Sequence, residues 1–462
     1  MMKPFRIESK LLLFIVLAPI IFYCIYTVFI FRNDIIDDAY ITLTYARNLF
    51  EYGKPHYLVV DDYQGNGQTS ILWMLINTPL FAFKEIDHVL YIKFVNSILS
   101  IIVVFDFFKS LRKINVKDYL VYVPVLAVFF FWLSLNISHG LETILFFFVL
   151  YFYLKEQRKG NGKWISLLLP LIRPEGLVFV GLQVFNYNSL KDFLTRTCVF
   201  ISSILIFLSY QYLFFDQLIP LPFLLKSQLI ISDFKVSKFL QLFCFFTPVI
   251  LFYFSNRRNI IYVAPLVFFI IYYSFCVDEV MNIFQRYSFP LFAFYLIYLK
   301  NDYDDKSNNL IIWMYIPLAF YLNNLNNDRI NYKYSYNKGM QSGAIPLGKY
   351  LYNDSTNTND VVVTSDAGAI AFFSKKQCID TWGLNNAQLL KYSKNNEWNK
   401  YLQYIDLKSP KYIILISNEK NVFKSNLDFE KRIYTHYKLD KLKINSVWMS
   451  NNNYYYFLYK LN

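Results

Sequence analysis

Through the first two thirds of the chain, apolar residues come in runs rather than in alternation. Runs at 11–31, 89–108, 119–135, 141–154, 197–215, 239–254, 260–277, 287–299 and 309–323 read as membrane spans. A helix needs about 20 apolar residues to cross a hydrocarbon core. Three runs are too short to cross alone. One, 71–83, contains Pro79; two others, 164–172 and 177–187, flank "RPEG" at 173–176. The first predicts a segment that dips into the membrane, the pair a hairpin. From about Asn324 the pattern changes. "DVVVTSD", "KYIILIS" and "NYYYFLYK" read as strands and "AGAIAFFS" as a short helix. Strands alternating with helices predict a small soluble α/β domain.

The pattern therefore predicts a polytopic α-helical membrane protein with about nine to twelve transmembrane helices. Residues 1–323 form the membrane module, with an outer loop at 32–70 carrying amphipathic helices, and residues 324–462 form the α/β domain. Composition agrees. Of 462 residues 55% are hydrophobic, 20% aromatic and only 17% charged, a balance rare in soluble domains.

The net charge of +13 would suggest nucleic acid as a partner of a soluble protein. Here Lys and Arg lie in short loops between runs, as the positive-inside rule expects, so no nucleic-acid partner is inferred. With a cytoplasmic N-terminus and a dipping 71–83, the basic loops 109–117, 155–163, 191–196, 257–258 and 300–306 all fall inside. The C-terminal domain is then extracytoplasmic. The first run follows Lys3, Arg6 and Lys10, exceeds a signal peptide in length and lacks a small-residue cleavage site, so it reads as an uncleaved span. Cys24, Cys198, Cys244 and Cys276 lie in apolar segments and Cys378 stands alone. Nothing in their spacing predicts a disulfide framework, a metal or another cofactor.

Ionisable residues at membrane depth are costly and tend to be functional. The outer-facing set is Asp37 and Asp38, His139 and Glu142 in "SHGLET", Arg173 and Glu175 in "RPEG", Lys226 in "PLPFLLKSQ", Asp278 and Glu279 in "VDEV", and Arg286 in "FQRYSFP". Carboxylates and cations together suit transfer of a sugar from a lipid phosphate. Cations stabilise the departing phosphate, and a carboxylate takes the proton of the attacking hydroxyl. Plainer roles compete. Carboxylates after a span cap helices, Arg173 and Glu175 can pair to hold a hairpin turn, and Lys226 can snorkel to headgroups. Asp34 reads as a loop residue.

The stretch "DDAYITLTYARNLFEYGKPHYLVVDDYQGNGQTSILWMLI" (37–76) resembles the first outer loop of bacterial arabinofuranosyltransferases, of the GT-C glycosyltransferase class. "SHGLETILFFF" (138–148), "LIRPEGLVF" (171–179), "YLFFDQLIPLPFLLKSQ" (212–228), "VDEVMNIFQRYSFPLF" (277–292) and "VVVTSDAGAIAFFSKKQCIDTWGLNN" (361–386) resemble further family segments in the same order. Departures fall at Gln68 and Ile71 around Thr69-Ser70, at Phe223 after Pro222, and at Asp278-Glu279, where the family has Gly-Asp. The resemblance implies an inverting transferase using a polyprenyl-phosphate sugar. It implies Asp37 or Asp38 as base, cationic contacts from Arg173, Lys226 and Arg286, and Glu142 as a paired acid. Glu175 and His139 complete the expected donor site. The acceptor would be a glycan, lipid or protein of the envelope, outside the cytoplasmic membrane. A transporter or flippase of lipid-linked sugars is the alternative. A scaffold whose outer domain recruits partners explains the domain but not the ionisable set.

Overall fold

The structure, a computed structural model, describes all residues except 1–8, 60–64, 84, 112–118, 227–232, 256–259, 278–281, 302–314, 443, 452–453 and 462. It forms two compact units, each assembled from three segments. One comprises Met1–Asp34, Asp87–Leu205 and Ser227–Arg329; the other comprises Ile35–Ile86, Ile206–Lys226 and Ile330–Asn462. Residues 35–86 and 206–226, which the hydrophobic pattern placed in the membrane module, thus pack with the C-terminal domain. In chain order the helices include α1 (Ser9–Ile30), α2 (Asp37–Tyr52), α3 (His88–Ser110), α4 (Tyr119–Ser138), α5 (Thr143–Gln157), α6 (Leu190–Phe215) and α7 (Ala369–Ser374).

Among the described residues, four helices are long and apolar enough to cross a membrane: Leu13–Ile30, His88–Ser110, Tyr119–Ser138 and Leu190–Phe215. Several predicted spans form shorter helices: 141–154 lies in the 15-residue α5, and Phe292–Asn301 has 10 residues. The start of the run 309–323 lies outside the described residues, and its end joins the helix Tyr315–Asn331. Within the helical unit α4 is the packed centre, with Val125, Phe129, Trp132 and Leu135 buried. Helices α1 and α3 instead turn rings outward; Phe22 and Phe105 are 74% and 68% exposed.

The segment 164–187 stays broken. Residues Leu169–Ile172 and Leu177–Leu182 are short helices, and Arg173 between them is extended. A Cβ on Gly176 would lie 2.4 Å from the Leu169 carbonyl carbon, so only glycine permits this fold-back.

In the second unit α2 begins after extended Ile36 with two acids in its first turn, where the helix dipole favours them. It ends at Gly53, whose left-handed φ of 68° lets its N–H cap the Leu49 carbonyl. The C-terminal segment builds a five-stranded sheet in the order β2-β1-β3-β5-β4, from β1 (Val361–Thr364), β2 (Gln377–Asp380), β3 (Tyr412–Ser417), β4 (Ser446–Asn451) and β5 (Tyr454–Lys460). β1 is parallel to β2 and β3; β5 is antiparallel to β3 and β4. Every residue of β3 is buried, as befits a central strand covered on both faces. Its Ile413 and Leu415 pack with Val363, Ile405, Ile433 and Phe457.

Candidate functional site

Candidate residues other than Lys226, Asp278 and Glu279 fall into two clusters, one in each unit. In the second unit Asp37 accepts N–H groups of Gly368 (3.0 Å) and Ala369 (2.7 Å), at the start of α7. Its own N–H donates to the Tyr336 hydroxyl at 2.8 Å. The position of Gly368 is obligatory, because a Cβ there would sit 2.4 Å from the Asp37 carboxyl carbon. Burial, and next the charge of Asp366, push the Asp37 carboxyl up to about 8. Asp366 is raised too, by burial, although the hydroxyls of Tyr454 (3.1 Å) and Tyr456 donate to it. Asp38 is half-buried and close enough for its charge to act on Asp37, Asp366 and Tyr336. Asp37 is thus committed to holding backbone, while Asp38 is the more accessible carboxylate of the pair.

The rest of α2 and its following loop hold the same face. The Arg47 guanidinium, buried, donates to the Phe372 carbonyl at 2.9 Å, and Tyr57 donates to the Ala367 carbonyl. Tyr45 donates to Asn385 Oδ1 at 3.1 Å and accepts the Gly67 N–H at 2.8 Å. Two further carboxyls are buried nearby in the chain's fold. Asp380 accepts from Asn385 and Trp382 and is pushed up to about 6 by burial. Glu430 accepts from Ser365, Ser425 and the Ile416 N–H, and burial pushes it up to about 7.

In the helical unit the cluster centres on Arg173. Its Nε lies 2.9 Å from Glu175 and 3.7 Å from Glu142, so the turn-holding ion pair expected from "RPEG" is formed. Tyr273 donates to Glu175 at 3.2 Å. Arg173 and Arg286 both lie against the Tyr287 ring, 5.1 and 5.0 Å from its centroid, and Arg286 Nη2 meets the Tyr287 hydroxyl at 3.2 Å. Both arginines are buried, and Arg173 Nη1 has no hydrogen-bond partner. His139 is a core residue. Its Nδ1 accepts the Leu141 N–H, so Nε2 carries the proton and donates to Asn136 Oδ1 at 2.9 Å. Both ring nitrogens are therefore used locally, leaving none for a sugar.

The sequence-predicted set is thus divided. Glu142, Glu175, His139, Arg173 and Arg286 belong to the helical unit; Asp37, Asp38 and Lys226 belong to the other. Lys226 ends the helix Leu221–Lys226, and Asp278 and Glu279 lie outside the described residues. Sequence reasoning missed Asp366, Tyr336, Tyr454, Tyr456 and Tyr287. The tyrosine pair had a readable signal, since Tyr454 and Tyr456 are two apart on a strand and so share a face. Among the described residues no group of three or more His, Cys, Asp or Glu side chains could hold a metal ion.

Residues 330–459 match a family model described as a domain of unknown function (DUF8728). Its first residue coincides with the start of the third segment of the second unit. No curated protein matches the chain.

Proposed function

We propose that the chain is a multi-pass inverting glycosyltransferase. It moves a sugar from a polyprenyl-phosphate donor to a glycan, lipid or protein acceptor at the outer face of the bacterial cytoplasmic membrane. The observation that carries this reading is the pair of buried arginines on Tyr287, one with an unpartnered guanidinium nitrogen, inside the helical unit. Leaving a buried donor unpaired costs about 1–3 kcal/mol, a cost that an arriving phosphate oxygen removes. Arg173 and Arg286 would stabilise the departing lipid phosphate. Asp38 would accept the proton of the acceptor hydroxyl, its neighbour Asp37 fixing the start of α2. The outward rings of α1 and α3 suit a lipid surround.

The test is envelope-glycan mass spectrometry on cells with and without the gene, complemented by variants present at wild-type level. Asp38→Asn and Arg286→Gln are expected to abolish one glycan modification. Full modification by both variants would sink the mechanism. Loss of lipid-linked sugar translocation with transfer intact would instead identify a transporter.

A further inference from the structure

The helical unit holds a groove of about 1220 Å³ between α1, α3 and α4, lined by none of the residues assigned above. Rings of Phe14, Phe94, Phe105, Phe108 and Phe130 line it. Ser97, Ser100 and Ser134 also face it, and the hydroxyls of Ser100 and Ser134 donate to carbonyls of their own helices, at 2.7 Å. The wall therefore offers little to water. Along α3 the lining runs from Leu90 to Phe108, about 27 Å of helix at 1.5 Å per residue. That approaches the ~30 Å of a hydrocarbon core.

The two ends differ. Both cations of the lining, Arg32 and Lys93, lie at one end, just after α1 and early in α3. Lys93 is buried and gives two of its three N–H donors to the carbonyls of Phe31 and Ser138, which fixes the ammonium in place. Arg32 is exposed, its guanidinium 4.3 Å from the Phe29 centroid. Asp34 acts on Lys93 and offsets one charge, so the exposed cation of this end is Arg32. A long apolar trough with a positive mouth is complementary to an amphiphile with an anionic head.

We propose that this groove binds one anionic diacyl phospholipid of the bilayer, its phosphate at Arg32 and Lys93 and its chains along the phenylalanine wall. The proposal rests on the reading that the helical unit lies in a membrane. A zwitterionic lipid would bring a second, repelled cation to the same mouth.

Native mass spectrometry of the full chain, purified in detergent and offered phosphatidylglycerol or phosphatidylcholine, tests it. The wild type should retain one phosphatidylglycerol at least about tenfold more than phosphatidylcholine, a difference of about 1.4 kcal/mol. Arg32→Gln should remove the preference. Ser97→Phe, which fills the trough from α3, should lose both lipids while its elution and thermal midpoint stay unchanged. Equal retention of the two lipids, or retention by Ser97→Phe, overturns the proposal. A chain that stays monodisperse without detergent would defeat the membrane reading as well, which is a separate and recognisable result.

Discussion

The two buried clusters solve the same problem in opposite ways. In the cluster of the helical unit, the central charge is met by opposite charges and a ring face: Arg173 by Glu175, Glu142 and the Tyr287 ring. In the second unit Asp37, Asp366 and Glu430 are met by neutral groups. Asp37 takes two backbone N–H groups, Asp366 two tyrosine hydroxyls, and Glu430 two serines and a backbone N–H. Neutral donors orient a carboxylate without cancelling its charge. The first arrangement breaks when one partner is removed; the second responds to protons.

The largest effect should come from unbalancing the ion pairs. Arg173→Met leaves Glu175 and Glu142 buried without their cation and should cost about 3–5 kcal/mol. Adding Glu175→Gln to it should recover part of the loss. Thermal midpoints in detergent measure both, and a silent single variant would contradict the ion-pair account. Asp37→Ala comes next, since it strips two N–H groups of their acceptor, at about 3 kcal/mol. Asp37→Asn keeps one acceptor oxygen and should cost about 1 kcal/mol. Equal losses from the two would mean that the carboxylate is not the clamp.

A smaller and distinctive effect concerns pH. Asp37, Asp380 and Glu430 titrate at about 8, 6 and 7 when folded, against about 4 in an unfolded chain. The native state therefore binds more protons between pH about 4 and 8, and stability falls as pH rises through that window. Tryptophan-fluorescence melts of the second unit should drop steadily from pH 5 to 8. Glu430→Gln should flatten the part of the slope below pH 7; an unchanged slope would remove Glu430 from the account. Asp38→Asn should change stability least, within about 0.5 kcal/mol, because a near-isosteric change at a half-exposed position costs little. A large loss of fold there would assign Asp38 a structural role instead.

Much of this was legible in the chain. The segments now β1, α7, β3 and β5 announced themselves by apolar density and alternation, and "RPEG" marked the break at Arg173. β2 and β4 did not, because "QCID" and "SVWMSN" are short and interrupted by polar residues. The ionisable residues near run ends were visible as a set, yet their division between two units was not. Hydrophobic periodicity reports which face of an element is covered, not what covers it. Nothing in "YARNLF" tells that Arg47 will meet Phe372, 325 positions later.

That separation has a consequence for how the protein is made. Asp37 leaves the ribosome 331 residues before Gly368. At synthesis rates of about 5–20 residues per second, the loop waits on the order of half a minute for the helix that it caps. During that interval its buried arginine and carboxylate face water or a chaperone, and the second unit closes only once the chain is nearly finished.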